Sequence, residues 1–448
     1  MSAQPPEATK ITLRVRSILN EPRNRVILGG GLALRLLALV LQRDPVGLSD
    51  PLLYQRFAQG IAAGRGYQSF GDLPTAYYPP GYPFFLGAIQ WVCDRLSIGS
   101  AMPTAAALVQ ALLGTVTIAA VIVAGQTWKP NHHVFNSWSV GSAAGAIVAL
   151  WPNLILHGTT LLSETLYLAL FSLLTVGLLQ WFAIPTAGLR TDLRTHAVVG
   201  LLLGFATLVR PQVLMILPVL VIASLLQRLS WREFLARWGT VALCVAVLCM
   251  PWAIRNHSVF GEFVAISTNG GDNLCVGFHE GAGGGFEIPP DCQTGEFYVD
   301  GPAAEVRRNA ETAHRARVWA ANNLSELPVL SLRKLWFTYN HDHDGLRAVE
   351  GYESNRFLPN PIRVVLRWLS DIYYYAVAAL TAFSAARFLR RADGSSRLDG
   401  LIWVLTATSC AVPVLFFGDA RFKVPAMTLV ALIAVSGLAR TPHVGTEP

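Results

Sequence analysis

Charge is what this chain has least of. Only 14% of its 448 residues are Asp, Glu, Lys or Arg, where soluble domains carry about 25%. With 52% hydrophobic residues and a mean hydropathy of +0.42, that shortage excludes an ordinary soluble domain and points to membrane spans. The net charge of +7 is then no nucleic-acid footprint, because an arginine surplus in a membrane protein marks cytoplasmic loops. The six cysteines are scattered, with no Cys-x-x-Cys pair and no His/Cys metal spacing. Cys244, Cys249 and Cys410 fall in apolar runs and read as packing residues. Cys275 and Cys292 share one long polar segment, and the sequence leaves open whether they pair. There is no repeat of 20–50 residues and no low-complexity tail beyond the Pro-rich first few residues. Nothing reads as a cleavable signal peptide, since the first 25 residues are polar and basic and a span follows directly.

What is abundant is apolar runs. Ten are long enough to span: 26–42, 104–125, 138–157, 163–183, 197–210, 211–227, 238–254, 368–389, 399–417 and 422–440. Runs 197–210 and 211–227 form one stretch broken at Arg210-Pro211, which marks the turn of a helical hairpin. The run Tyr82–Cys93 is too short to span and reads as an interfacial helix. Charge placement supports that. With a cytoplasmic N-terminus and no span at 82–93, the short basic segments all fall inside: Lys10, Arg14, Arg16, Arg23 and Arg25; Lys129; Arg190 and Arg194; Arg228, Arg232 and Arg237; Arg387, Arg390, Arg391 and Arg397. If 82–93 crossed, the later basic loops would face outward.

The organisation expected is therefore all-α and polytopic, in a bacterial inner membrane with both termini cytoplasmic. A tail, 1–25, leads into a transmembrane module, 26–254, whose first outer loop is 43–103. A large outer loop, 255–367, precedes the last helices, 368–440, and a tail, 441–448. The large loop carries Gly-rich stretches at 269–277 and 281–285 and a helix around 302–323. The Gly-rich stretch follows no parallel-strand unit and faces away from cytoplasmic ATP, so it is no nucleotide loop.

Few residues can carry chemistry. Asp50 heads the first outer loop, where it serves equally as a helix N-cap followed by Pro51 or as a carboxylate able to take a proton from an acceptor hydroxyl. Glu164 starts a span; it either offsets the helix dipole or faces a site. Arg210, Arg255 and Arg421 break the positive-inside pattern, all at outer span ends. They either snorkel or bind the phosphate of an outer-leaflet lipid in a planar, two-pronged grip. Lys423 assists or snorkels. Tyr77 and Tyr78, before Pro79-Pro80, belong to an aromatic belt or to the wall of a sugar pocket. His341-Asp342-His343-Asp344 has the look of a metal motif but reads as a solvated turn.

In chain order, several blocks resemble the GT-C glycosyltransferases, in particular the bacterial branch near protein O-mannosyltransferases and the aminoarabinose transferase of lipid A. They are Ser49-Asp50 with Tyr54, Ala58 and Gly64-Arg-Gly66; Tyr78-Pro-Pro-Gly-Tyr-Pro83; Leu162-Ser-Glu164; Gly204-Phe-Ala-Thr-Leu-Val-Arg-Pro211; Pro251-Trp-Ala-Ile-Arg-Asn256; Thr268-Asn-Gly-Gly271; and Gly418-Asp-Ala-Arg-Phe-Lys-Val-Pro425. The resemblance implies a GT-C fold and an inverting transfer from a polyprenyl-phosphate-linked sugar at the periplasmic face. The acceptor is a glycan, a lipid or a protein, and the other partners are membrane lipids, with no nucleic acid. It further implies Asp50 as base, Glu164 as second acidic residue, Arg210, Arg255 and Arg421 as phosphate ligands, and Tyr77, Tyr78, Lys423 and Asn269 around the substrate. A divalent cation, Mg²⁺ or Mn²⁺, is the one cofactor to test for. The chain departs from many relatives in having Pro51 where they carry a second acidic residue, and Tyr77-Tyr78 where the aminoarabinose transferase has an acidic-Lys pair. Both departures reduce the carboxylate ligands open to a metal.

Two rival functions fit the same composition. An O-antigen polymerase or ligase also has many spans and outer arginines, but keeps its key residues in a late loop. A transporter or flippase concentrates ionisable residues near the midplane, whereas here Arg35 is the exception in nearly uncharged spans. Convergence of Asp50, Glu164, Arg210, Arg255 and Arg421 in space would separate these readings.

Overall fold

A computed structural model describes residues 15–42, 46, 50–68, 72–135, 137–183, 189–227, 229–292, 301–353, 356–390 and 396–440. Lys10, Arg14, Ser49, Arg228, Arg391 and the 441–448 tail lie outside them, as does the side chain of Arg190. The described chain is mainly helical, and the sheet among the described residues is a small antiparallel pairing of His133–Val134 with Trp138–Ser139.

Each apolar run falls on helix. The first, α1 (Pro22–Leu41), starts with proline in its first turn. Then come α2 (Asp50–Ala62), α3 (Gly81–Arg95) and α4 (Met102–Trp128). Run 138–157 is split at Trp151-Pro152 into α5 (Val140–Leu150) and α6 (Pro152–His157), because proline withholds a backbone donor. Next are α7 (Glu164–Ala183) and α8 (Leu189–Val209). The expected hairpin break is present: Arg210 is extended, Pro211–Ile216 forms a 3₁₀ turn, and α9 (Leu217–Leu225) follows.

The long helix α10 (Trp231–Phe260) opens on a Ser230/Glu233 capping box and stops at Gly261, whose φ of 71° suits glycine. The large loop then supplies α11 (Gly270–Gly277), α12 (Gly301–Asn322), α13 (Leu327–Tyr339) and α14 (Asp344–Val349). The last helices are α15 (Asn360–Leu389), α16 (Arg397–Cys410), α17 (Val412–Leu415) and α18 (Met427–Ser436), with a 3₁₀ segment, Ala420–Ala426, leading into α18.

Among the described residues, six helical stretches are long and apolar enough to cross a membrane: Pro22–Leu41, Gly99–Trp128, Glu164–Ala183, Trp231–Phe260, Asn360–Leu389 and Arg397–Leu415. This is a multi-pass membrane protein. The exposed faces agree. Along α10, Leu235, Leu243, Val247, Met250 and Ile254 point outward, and on α15 Val365, Trp368, Leu369 and Ile372 do. Such apolar stripes suit lipid rather than water. The core of the bundle is α4, α5, α7 and α18, where small residues let backbones meet. A Cβ on Gly141 would lie 2.0 Å from the Ile122 carbonyl oxygen, so α5 crosses α4 at glycine.

Helices α2 and α3 pack together beside the entry to α4. The helix expected near 302–323 is α12, and it docks on α11. Cys275 of α11 is disulfide-bonded to Cys292, with Cα atoms 5.8 Å apart.

Candidate active site

Four helix ends meet at one pole of the bundle. Asp50 starts α2, Glu164 starts α7, Arg210 follows α8, and Arg421 lies in the turn before α18. Arg421 is the hub. Its Nε donates to Glu164 Oε1 at 2.5 Å and its Nη1 to Asp50 Oδ2 at 2.7 Å. Arg210 Nη2 pairs with the same Glu164 oxygen at 2.7 Å, and its Nε donates to Ser163 Oγ at 3.0 Å. Glu164 is fully buried, so two guanidiniums offset the cost of keeping its charge from water. Asp419 Oδ1 accepts from the Arg421 amide at 2.7 Å and fixes the turn that aims the guanidinium.

Asp50 is no simple cap. Its second oxygen accepts from the Tyr78 hydroxyl at 2.7 Å. Burial first, then the Asp50 charge, pushes the Tyr78 pKa well above its ordinary value, so Tyr78 remains a donor. Tyr78 packs on Tyr54, with ring centroids 5.1 Å apart, and Tyr54 on Tyr82 at 4.9 Å. These rings wall the carboxylate on the α2–α3 side. Tyr77 turns to the large loop, where its hydroxyl donates to Asp272 at 3.1 Å. Arg308 of α12 grips Asp272 through Nη2 at 2.9 Å.

The remaining expected residues have other partners. Arg255 donates to the backbone oxygens of Thr75 at 2.8 Å and Tyr67 at 3.1 Å, and its guanidinium lies over Trp252. It braces the loop that carries Tyr77 and Tyr78. Lys423 is fully buried and pairs with Asp342 at 3.2 Å while donating to the Thr338 oxygen at 3.0 Å. Asn269 accepts from Ser267 at 2.9 Å.

The expectation of a solvated turn at 341–344 fails. Asp342 and Asp344 are buried, and Asp342 accepts from Trp151 Nε1 at 2.6 Å and Asn153 Nδ2 at 2.8 Å as well as meeting Lys423. Donors from the α5–α6 junction, from α6 and from the turn before α18 close over the loop. His343 Nδ1 lies 2.8 Å from Asp371.

Two further carboxylates at this pole were not expected to belong to the site. Glu305 of α12 accepts from Thr75 Oγ1 at 2.7 Å, from the Ala76 amide at 2.8 Å and from Thr268. Burial first raises its pKa, and the hydrogen bonds to its carboxylate oppose this. Asp344 is raised by burial and then by the nearby charge of Asp419. Glu305 could have been noticed only as a charge in a polar loop, and Asp344 only as the end of the His341-Asp342-His343-Asp344 run.

Among the described residues, no group of three or more His, Cys, Asp or Glu is arranged to hold a metal ion. Both oxygens of Asp50 are engaged by Tyr78 and Arg421, and two guanidiniums share Glu164 Oε1. A Mg²⁺ or Mn²⁺ ion finds no ready donor set in this arrangement.

No family model matches the chain, and no curated protein matches it. Solved structures do. The archaeal oligosaccharyltransferase AglB from Archaeoglobus fulgidus, in complex with an inhibitory peptide and a dolichol-phosphate, gives a TM-score of 0.52 at 14% identity over 92% of this chain and 50% of that one. The Archaeoglobus fulgidus oligosaccharyltransferase tethered with an acceptor peptide containing the NVT sequon gives 0.53 at 12% identity, over 94% and 50%. ArnT from Cupriavidus metallidurans bound to undecaprenyl phosphate gives 0.43 at 15% identity, over 92% and 76%. The likeness is one of fold: this chain has the GT-C fold. It spans about half the length of the oligosaccharyltransferase structures it matches.

Proposed function

We propose that the protein is a membrane glycosyltransferase that moves a sugar from a polyprenyl-phosphate donor to an acceptor hydroxyl at the periplasmic face, with inversion and with Asp50 as general base. The observation that carries this is Arg421 bridging Asp50 and Glu164 beside Arg210. The pairing of Cys275 with Cys292 suits a loop outside the cytoplasm. A protein of this fold has been solved with a dolichol-phosphate, and we carry the lipid-phosphate class of ligand from it to this chain. A transporter has no reason to gather two carboxylates and two arginines at one pole rather than at mid-bundle.

The chemistry follows from the charges. The sugar–phosphate bond breaks through an oxocarbenium-like centre. Its electron pair leaves on the lipid phosphate, where Arg210 and Arg421 stabilise the growing charge. The acceptor oxygen bonds to the anomeric carbon from the opposite face, and its proton passes to Asp50. A donor phosphate competes with Asp50 for Arg421, so donor binding frees the Asp50 Oδ2 that now accepts from that arginine. Tyr78 holds the other oxygen in place.

The test is turnover by purified protein in nanodiscs. Polyprenyl-phosphate sugars are offered with a panel of acceptors, with and without Mg²⁺ or Mn²⁺. Release of free polyprenyl phosphate is expected, and Asp50→Asn should lower it at least about 10²-fold. Full transfer by Asp50→Asn would remove Asp50 as the base. Lipid movement across the bilayer that ignores Asp50→Asn would make the protein a flippase.

A further inference from the structure

Glu164 is only half explained by the arginines. Oε1 takes both of them. Oε2 is buried and has no hydrogen-bond partner among the described residues. Glu164 also lines a small cavity inside the bundle, together with Arg35, Thr117, Leu154, His157 and Leu168. His157, only 1% exposed, brings two more orphaned atoms, since neither ring nitrogen has a partner among the described residues. Arg35 is 3% exposed. It donates from Nη1 to the oxygens of Gly31 at 2.9 Å and Ala149 at 3.4 Å, and from Nη2 to that of Val148 at 3.4 Å. Its place is built in: a Cβ on Gly114, which also lines the cavity, would lie 2.3 Å from Arg35 Nε.

A buried polar atom without a partner costs as much as a lost hydrogen bond, so native interiors satisfy such atoms. Apolar cavities stay dry, but a cavity offering two to four polar partners holds water. The residues that line this one bring two unpartnered nitrogens and an unpartnered carboxylate oxygen beside a guanidinium. We propose that the cavity is a hydration site, in which ordered water links Glu164 Oε2 to His157 and Arg35. His157 is then a positioning residue for the carboxylate that holds both arginines. That positioning role rests on the transferase reading above; the hydration site does not.

Radiolytic footprinting of the wild-type protein in nanodiscs, in ¹⁸O-labelled water, reads the water directly. Ordered water labels the side chains beside it. Leu154 and Leu168 should take up ¹⁸O well ahead of Leu401 and Leu346, which are about as buried but do not line the cavity. Equal rates would mean a dry cavity and overturn the proposal. Binding of undecaprenyl phosphate tests the positioning. His157→Leu should weaken it about tenfold and His157→Gln by less than about threefold. A purely structural role would instead lower Tm in both variants without separating their affinities, and that outcome overturns the positioning role. If the wild type binds no undecaprenyl phosphate, the transferase reading fails, and the footprinting still decides the hydration site.

Discussion

At the residue scale, Arg421 does what lysine cannot. One planar guanidinium reaches two carboxylates through different nitrogens, whereas an ammonium is a single compact charge. Arg421→Lys should therefore keep the fold and lose turnover by about 10²–10³-fold, measured as single-turnover release of polyprenyl phosphate. A variant turning over at half the wild-type rate would mean that the fork is not needed. Asp344 gives a prediction of opposite character. Its pKa is raised by burial and by Asp419, so the folded state binds a proton that the unfolded state gives up. Stability then falls as pH rises from the ordinary aspartate value near 4 through the folded value. Asp344→Asn should flatten that fall, raising Tm at pH 8 more than at pH 4. Equal shifts at both pH values would contradict the raised pKa.

At the element scale, the site depends on a helix that does not reach it. Glu305 of α12 collects Thr75, Ala76 and Thr268, and Arg255 of α10 holds the same loop by its backbone. Two residues further along stands Tyr78, donating to Asp50. Removing the carboxylate leaves buried donors unpaired, at about 1–3 kcal/mol. Glu305→Ala should lower Tm and kcat while leaving undecaprenyl-phosphate affinity within about twofold, since the arginines are untouched. An affinity loss as large as the kcat loss would show that α12 supports the arginine side as well.

Much of the element pattern is legible in sequence, because it is local. The break at Arg210-Pro211 and the helix near 302–323 appear where residue type alone puts them, while the helices at Pro22 and Trp231 start ahead of the apolar runs 26–42 and 238–254. Helix α13 carried no such mark, being a moderately apolar stretch in a polar loop.

At the scale of the whole molecule, the pole that gathers Asp50, Glu164, Arg210 and Arg421 and its opposite are chemically distinct. One end of α18 follows Arg421; near the other, Arg440 pairs backbone to backbone with His133. Lys129, at the end of α4, meets Asp399 at 2.6 Å. The positive-inside rule predicts that the Lys129 end is cytoplasmic. Topology reporters fused after residue 130 should therefore read cytoplasmic, and those inserted at residue 283 should read periplasmic. The reverse pattern would put the Arg421 pole in the cytoplasm and undo the periplasmic reading.

The sequence alone determined that this chain is helical and membrane-embedded, and that its few charges sit at helix ends. Those are properties of neighbouring residues: apolar run length, a proline, an unpaired helix terminus. It also singled out Asp50, Glu164, Arg210 and Arg421. Only the tertiary structure decided which charges meet. Arg421 and Asp50 are 371 residues apart, and Arg421 and Glu164 are 257 apart. No local pattern distinguishes these arginine ends from Arg255, which serves a loop backbone, or from Lys423, which is buried against Asp342. The same holds for 341–344, polar in composition yet sealed by Trp151 and Asn153 from a distant helix. A charge at a helix end is written locally, but its partner is fixed by how the helices pack.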